Sequence, residues 1–283
     1  MACNTPEPAG RKAFLDTTVP GDRILGDDER KALTRKKLSG HASLATSKYV
    51  QLEFGLSVYG PMADLQAKAQ GGASMAEVHS LAVRYATGPP QYKWRRVGSV
   101  MLRVITFFIR KLESQWPSSE APAHQLRAFL RRFVGGAWMK AFKGVDPVLD
   151  PSGCLGDLPE PRRDAKTKAM ANVVSDAYVR AKTPELAAFI RRRAEFQTIL
   201  DALRDLPCRQ RLGETKRAIK AIAKILADDE APTANDIRNV GDAFVAVECP
   251  EDHVLLNNNV KDFGPITRAI GKVSERSFDP PTS

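Results

Sequence analysis

The stretch KAFLDTTV, residues 12–19, places a short apolar run directly before an acidic residue. The run predicts a buried strand that ends near Asp16. Pro20-Gly21 then interrupts the strand, and the charged residues 22–37 predict a helix. A strand followed by a helix is the first half of a parallel α/β unit.

The same order of elements recurs at two further places. A short strand is predicted over residues 42–45, and Thr46-Ser47 are N-cap candidates for the helix that carries Glu53. Near the end of the chain, residues 242–249 predict a helix stopped by Pro250. A buried strand is then predicted over 254–257, and a helix over 265–270.

Between these α/β segments the chain consists of amphipathic helices separated by joints rich in Pro and Gly. The longest joint covers residues 146–163. Helices are expected near 62–70, 74–86, 97–114, 122–142, 164–181, 184–205 and 213–228. The simplest topology is one sheet completed by both ends of the chain, with the helical block inserted between them.

Four carboxylates are expected at one edge of this sheet. Asp16 ends the first strand and Asp262 follows the last, while Glu53 and Asp242 lie in helices that could point back to the same edge. Like charges placed close together raise one another's pKa and destabilise the fold unless a cation lies between them. Oxygen ligands without Cys or His favour Mg²⁺ or Mn²⁺ over zinc.

The chain resembles the PIN-domain ribonucleases, a family that includes the VapC-type toxins, in four stretches. FLDTTV at 14–19 is similar to the opening strand and first acid of the family, and TSKYVQLEF at 46–54 to its second acid. GDAFVA at 241–246, together with LLNNNVKDF at 255–263, is similar to the third and fourth acids. The four acids occur in the order typical of the family.

The resemblance implies a three-layer α/β fold with a central, mostly parallel sheet, interrupted by a large α-helical insertion. It implies a discontinuous nuclease domain over 11–61 and 236–275, with an insertion over 62–235. Residues 1–10 would form a flexible leader, and 276–283 a flexible tail.

The resemblance also implies metal-dependent hydrolysis of RNA to a 5′-phosphate and a 3′-hydroxyl, by in-line attack of a metal-bound water. Asp16, Glu53, Asp242 and Asp262 would be the catalytic, metal-binding acids. The supporting residues would be Thr17, Asn257 and Asn259. Asn257 departs from the Ser or Thr that many members carry on the last strand, and Asp236 and Asp252 are alternative acids if the register differs.

Positive charge is concentrated in the middle of the chain. The 283 residues include 43 Lys and Arg against 33 Asp and Glu, a net charge of +10. Such a surplus favours an anionic polymer as partner. RNA backbone contacts are predicted for residues that recur along single helix faces: Arg96, Arg103 and Arg110, and Lys216, Lys220 and Lys224. A solvated charged face explains the same pattern equally well.

Partners and location follow from weaker signals. The longest apolar stretch, 97–109, contains Arg103 and is too short to cross a bilayer, so no membrane is expected. Four widely spaced cysteines predict a reducing cytoplasm. Besides RNA, an antitoxin protein and a homodimer are open as partners. A non-catalytic basic RNA-binding or assembly module, and a toxin of a toxin-antitoxin pair, are the alternative functions.

Overall fold

A computed structural model describes residues 10–87, 92–112, 123–165, 170–171, 173–207 and 213–278. These residues form two compact units. Of the described residues, unit 1 comprises 10–51, 144–158, 176–207 and 213–278, and unit 2 comprises 52–87, 92–112, 123–143, 159–165, 170–171 and 173–175. The domain bounds given by the resemblance stay a prediction, because a compact unit is not in itself an independently folding domain. The leader expected over 1–10 lies, except for Gly10, outside the described residues.

The strands are β1 Lys12–Leu15, β2 Ser43–Ser47, β3 Val148–Leu149, β4 Arg162–Arg163, β5 Met170–Ala171, β6 His253–Asn257 and β7 Ser274–Arg276. The helices are α1 Thr18–Leu25, α2 Asp28–Ser39, α3 Lys48–Phe54, α4 Gly60–Gln70, α5 Met75–Thr87, α6 Tyr92–Leu112, α7 Ala123–Ala141, α8 Asp176–Arg192, α9 Ala194–Asp205, α10 Glu214–Ala227, α11 Ala234–Asn239, α12 Gly241–Glu248 and α13 Val260–Ala269. A π-helical turn over Gly55–Tyr59 joins α3 to α4.

Unit 1 is built around a five-stranded sheet in the order β3-β2-β1-β6-β7, with every neighbouring pair parallel. The predicted α/β class is therefore confirmed, as is the pairing of a strand from each end of the chain. One face of the sheet carries Ala13, Leu15, Val254 and Leu256, which pack with Val19 and Leu38 of the first two helices. The opposite face carries Phe14, Ala45 and Leu255, all with no exposed surface. A parallel sheet buried on both faces lies between covering layers.

Two edge strands were not predicted. The first, β3, lies within the joint rich in Pro and Gly, where Thr46 and Ser47 of β2 pair with it. The second, β7, pairs with β6 and extends into the predicted flexible tail, whose Ser277 is fully buried. Residues 279–283 of that tail lie outside the described part of the chain.

Several predicted helix bounds were wrong. Pro20 and Gly21 do not break the chain but lie inside α1, because the first turn of a helix needs no backbone donor from proline. The helix expected over 22–37 is divided at Gly26, where any side chain would meet the Asp22 carbonyl at 2.6 Å. The helix expected over 164–181 is instead β5 followed by α8, although residues 166–169 and 172 are outside the described part.

The helix expected over 184–205 is in fact two helices. The first of them, α8, runs through Pro184 to Arg192. The chain then breaks at Arg193, whose backbone is extended (φ −106°, ψ 111°), before α9 begins. The helix expected over 265–270 begins earlier, at Val260.

Unit 2 consists of α4 to α7, the π-helical turn and the small β4–β5 ladder, in which Arg162 pairs with Ala171 and Arg163 with Met170. Its helices pack through aromatic side chains: Phe107 lies 6.0 Å from Phe133, and Phe108 lies 5.2 Å from Phe129, between ring centroids. None of the described helices combines the length and apolar character needed to span a membrane.

Candidate functional site

The carboxyl edge of the sheet in unit 1 holds a row of buried polar side chains. Phe14 is paired with Ala45 of β2, and Leu15 with Leu256 of β6. Continuing this register places Asp16 between Ser47 on one side and Asn257 on the other. The alternation of side chains puts all three on the same face of the sheet, and each is at most 2% exposed. The row is therefore sheltered from water at the edge where parallel sheets bind ligands.

Asp16 is held by the turn that follows it. Its Oδ2 accepts hydrogen bonds from the Thr18 amide at 3.1 Å and from the Thr18 hydroxyl at 2.7 Å. The same hydroxyl accepts from the Asn258 amide at 3.0 Å, so the ends of β1 and β6 are tied together. Thr17 was the threonine predicted to support Asp16. It is buried at the N-cap position of α1, and its supporting role stays a prediction.

This geometry predicts a measurable cost for Thr18→Val, which keeps the shape of the side chain but removes its hydroxyl. Because the Asp16 carboxylate and the Asn258 amide each lose a partner, we expect the free energy of unfolding to fall by about 1–3 kcal/mol. Urea denaturation would measure it. Thr198→Val is a matched control, since its exposed hydroxyl donates to a helical carbonyl at 3.4 Å, and little change is expected. Equal losses of unfolding free energy in the two variants would contradict a stabilising role for the hydrogen bonds of the Thr18 hydroxyl.

Asn257 is the least satisfied member of the row. It is fully buried, and neither its amide nitrogen nor its amide oxygen has a hydrogen-bond partner among the described residues. Buried amide groups are nearly always hydrogen-bonded, because leaving one without a partner costs free energy. The register position beside Asp16 therefore offers an oxygen and an N–H group to a further molecule or ion.

Asp262 lies in the first turn of α13, the helix that follows β6, and is half-buried. The Asn259 side-chain amide donates to its Oδ2. The contact places a predicted supporting residue against a predicted acid. Both lie just beyond the carboxyl end of β6, next to the strand that carries Asp16.

Asp242 lies in the first turn of α12. The ammonium group of Lys272, two residues before β7, donates to the carbonyls of Ala246, Val247 and Cys249 at the other end of this helix. The role of Asp242 as a metal ligand stays a prediction.

Glu53 is half-buried in the second turn of α3, after the carboxyl end of β2. It belongs to unit 2, whereas the other three predicted acids belong to unit 1. The role of Glu53 as a fourth ligand therefore stays a prediction.

A second polar network at the same edge was missed from the sequence. Asp22 of α1 is buried, and its Oδ1 lies 2.8 Å from Nε of Arg30, while its Oδ2 accepts from Nη2 at 2.9 Å. Asn258 donates to the same carboxylate and accepts from the Ser277 hydroxyl at 2.6 Å. The ion pair neutralises Asp22 and fixes the loop between β6 and α13.

Glu248, the last residue of α12, was also missed. It is 3% exposed, and neither carboxyl oxygen has a partner of normal hydrogen-bond geometry among the described residues. Burial raises the pKa of Glu248 to about 8; the Ser47 hydroxyl acts in the opposite direction, and Asp150 raises the pKa further. Only the fold brings these residues together, so no local sequence signal could have marked Glu248.

The two alternative acids have other roles. Asp236 completes a capping box with Thr233 at the start of α11 and pairs with Lys224 at 3.2 Å. Asp252 lies before β6 at the amino edge and forms an ion pair with Lys12 at 2.7 Å. The hydrogen bond from Lys12 lowers the pKa of Asp252 to about 2, and His253 contributes in the same direction.

The predicted RNA-contacting residues differ in their surroundings. Arg103 and Arg110 on α6 and Lys216 and Lys220 on α10 are exposed, and the Arg96 side chain lies outside the described part of the chain. Lys224 is 24% exposed and lies between Asp236 and Glu230, at 3.2 and 3.5 Å. The Asp236 hydrogen bond raises its pKa. Lys224 is therefore already neutralised by acids of its own unit.

No group of three or more His, Cys, Asp and Glu side chains in the described ranges is arranged to hold a metal ion. The donors at the carboxyl edge are nonetheless of one chemical kind: carboxylate, amide and hydroxyl oxygens. Hard divalent cations such as Mg²⁺ and Mn²⁺ prefer such ligands.

Comparison of the chain with protein-family models, with curated proteins and with solved structures found no match.

Proposed function

We propose that this protein is a PIN-type ribonuclease that depends on Mg²⁺ or Mn²⁺. The observation that carries the proposal is the row at the carboxyl edge, where buried Asp16 is the register neighbour of Asn257, whose side chain has no hydrogen-bond partner in the part of the chain that the structure describes. Asp262 follows the adjacent strand, and the first turn of α12 carries Asp242. These positions agree with the order of acids implied by the resemblance to the PIN family.

The oxygen donors at this edge are of the chemical kind that a hard divalent cation prefers, although no three His, Cys, Asp or Glu side chains among the described residues are grouped to hold one. Within unit 1, Asp16, Asp242 and Asp262 would hold it. The Asn257 oxygen, which has no hydrogen-bond partner among the described residues, would gain one from the cation or its hydration shell. When bound, such an ion polarises a phosphodiester, lowers the pKa of water and offsets the charge of the leaving oxygen.

The chain's own residues orient the acids and attract the substrate. Thr18 fixes the Asp16 carboxylate through two hydrogen bonds, and Asn259 fixes that of Asp262. Such positioning lowers the entropic cost of reaching a reactive geometry. The surplus of positive charge attracts the polyanionic RNA.

The proposal is tested by incubating the purified full chain with single-stranded RNA in Mg²⁺, in Mn²⁺ and in EDTA. We expect cleavage with either ion, products ending in a 5′-phosphate and a 3′-hydroxyl, and no cleavage in EDTA. Equal cleavage in EDTA would overturn the metal-dependent mechanism. Binding without turnover in either ion would favour the non-catalytic RNA-binding module instead.

A further inference from the structure

Unit 2 carries arginines with solvent-accessible side chains on α7 and on β4. Helix α7 contains no acidic residue, and its apolar side chains Leu126, Leu130, Val134, Ala137 and Ala141 are buried. On its opposite side, Arg131 and Arg132 are exposed and Arg127 is half-buried. On β4, Arg162 and Arg163 are both exposed.

Arg163 reaches from β4 onto α7. Its Nη2 donates to the Arg131 carbonyl at 3.0 Å. A guanidinium group has five N–H donors in a planar fork, so one bond to a carbonyl leaves a fork that can match two phosphate oxygens. The bond therefore places the Arg163 charge beside the i, i+4 pair of Arg127 and Arg131, extending one row of arginines.

Gly135 makes room for this contact. A Cβ atom at Gly135 would collide with Nη2 of Arg163 and lie 3.2 Å from its Cζ. At the next residue, Gly136, a Cβ would meet only the Lys140 side chain, at an ordinary 3.6 Å. Glycine inside a helix is unfavourable relative to alanine. The approach of Arg163 gives a physical reason for accepting that cost at Gly135.

None of the ion pairs among the described residues includes one of these arginines, although Glu160 and Asp164 flank Arg162 and Arg163 along the chain. The pKa of buried Tyr59 is raised by its burial, and the Arg163 charge acts in the opposite direction.

The exposed side of α7 differs from that of a membrane-binding helix. Such a helix presents apolar side chains to the lipid, yet Met139 is the one large, strongly exposed hydrophobic residue described on α7. The chemistry favours a polyphosphate over a lipid surface.

We propose that Arg127, Arg131, Arg132, Arg162 and Arg163 form an RNA phosphate-binding surface, here named the α7–β4 arginine surface, and that Gly135 positions Arg163 within it. The proposal rests on the proposed function, since that function identifies RNA as the anionic partner. Gly135 is a positioning residue because it acts only through Arg163.

The test measures fluorescence anisotropy of labelled single-stranded RNA with the full chain in EDTA, so that binding is observed without turnover. Gly135→Ala displaces the Arg163 guanidinium but keeps every charge, and we expect RNA affinity to fall about threefold to tenfold. Gly136→Ala adds the same methyl group one residue further along the helix. It should bind within about twofold of the parent protein. Circular dichroism would verify that both variants fold.

A double-mutant cycle then isolates the role of Arg163. Arg163→Ala should weaken binding and reduce the slope of log Kd against log salt concentration by about 0.7. In that background, adding Gly135→Ala should have no further effect. The proposed surface would be contradicted if Gly135→Ala and Gly136→Ala bound RNA with equal affinity. It would also be contradicted if the effects of Gly135→Ala and Arg163→Ala were additive in the double variant. An equal response when vesicles of anionic lipid replace the RNA would contradict it as well.

The outcome is distinguishable from failure of the proposed function. If metal-dependent cleavage is absent but the variants bind RNA in the expected order, the nuclease assignment falls and the arginine surface stands. If cleavage occurs but Gly135→Ala binds RNA as the parent protein does, the opposite conclusion follows.

Discussion

Asp16→Asn is expected to abolish metal-dependent RNA cleavage while the protein stays folded. Asparagine keeps an oxygen that can accept from Thr18, so the local turn should survive. The negative charge that would bind a divalent ion is lost, and we expect the cleavage rate to fall by at least about a hundredfold. Initial rates with Mg²⁺ and with Mn²⁺, together with circular dichroism, would measure the effect.

Asp252→Asn is the matched control for this experiment. Asp252 is exposed and lies at the amino edge of the same sheet, where it pairs with Lys12. Neutralising it changes the net charge by the same amount at the opposite edge, so cleavage should remain near the parent rate. A similar loss in both variants would show that the effect of Asp16 is electrostatic at long range, which would contradict a site at the carboxyl edge.

A second large effect is expected in the pH dependence of stability, through Glu248. Its pKa is raised by burial from 4.5 in the unfolded chain to about 8 in the folded protein. Between these values the folded state keeps a proton that the unfolded state releases. The contribution of Glu248 to the free energy of unfolding is therefore greatest at low pH and declines as pH rises through this window, by on the order of a few kcal/mol.

Comparison with Glu248→Gln isolates this contribution. The amide keeps the size of the side chain and cannot ionise, so urea denaturation at mildly acidic and mildly alkaline pH should show a flatter pH dependence than in the parent protein. Glu251→Gln is a suitable control, because Glu251 is exposed three residues further on. Parallel pH profiles of the parent and Glu248→Gln would contradict the raised pKa.

The parts of the fold that could be predicted from sequence are those with a strong local signal. The apolar runs before Asp16 and over 254–257 predicted β1 and β6, and the order of elements predicted that both belong to a parallel sheet. The edge strands could not be found in this way. One of them, β3, is only two residues long and lies between Pro147 and Pro151, and β7 is Ser-Glu-Arg, whose polar side chains give no buried-strand pattern.

The same distinction holds for the candidate site: residues with a local sequence signal could be predicted, and residues joined only by long-range contacts could not. Asp16 and Asp262 each follow an apolar strand, so position in the chain was enough to select them as acids of the carboxyl edge. Thr18, Asn258 and Asp22 are joined by bonds between residues more than two hundred positions apart, with Asn258 reaching both others. Such contacts depend on strand register, which a single sequence does not specify.

Manganese binding to the purified protein tests most directly whether the carboxyl edge is a cation site. Electron paramagnetic resonance reports free Mn²⁺ in solution, so its loss on titration with protein measures binding without RNA or turnover. The parent protein and Asp252→Asn are expected to take up Mn²⁺ with the same affinity, and Asp16→Asn to bind at least about tenfold more weakly. No uptake by the parent protein, or equal uptake by Asp16→Asn, would contradict the site.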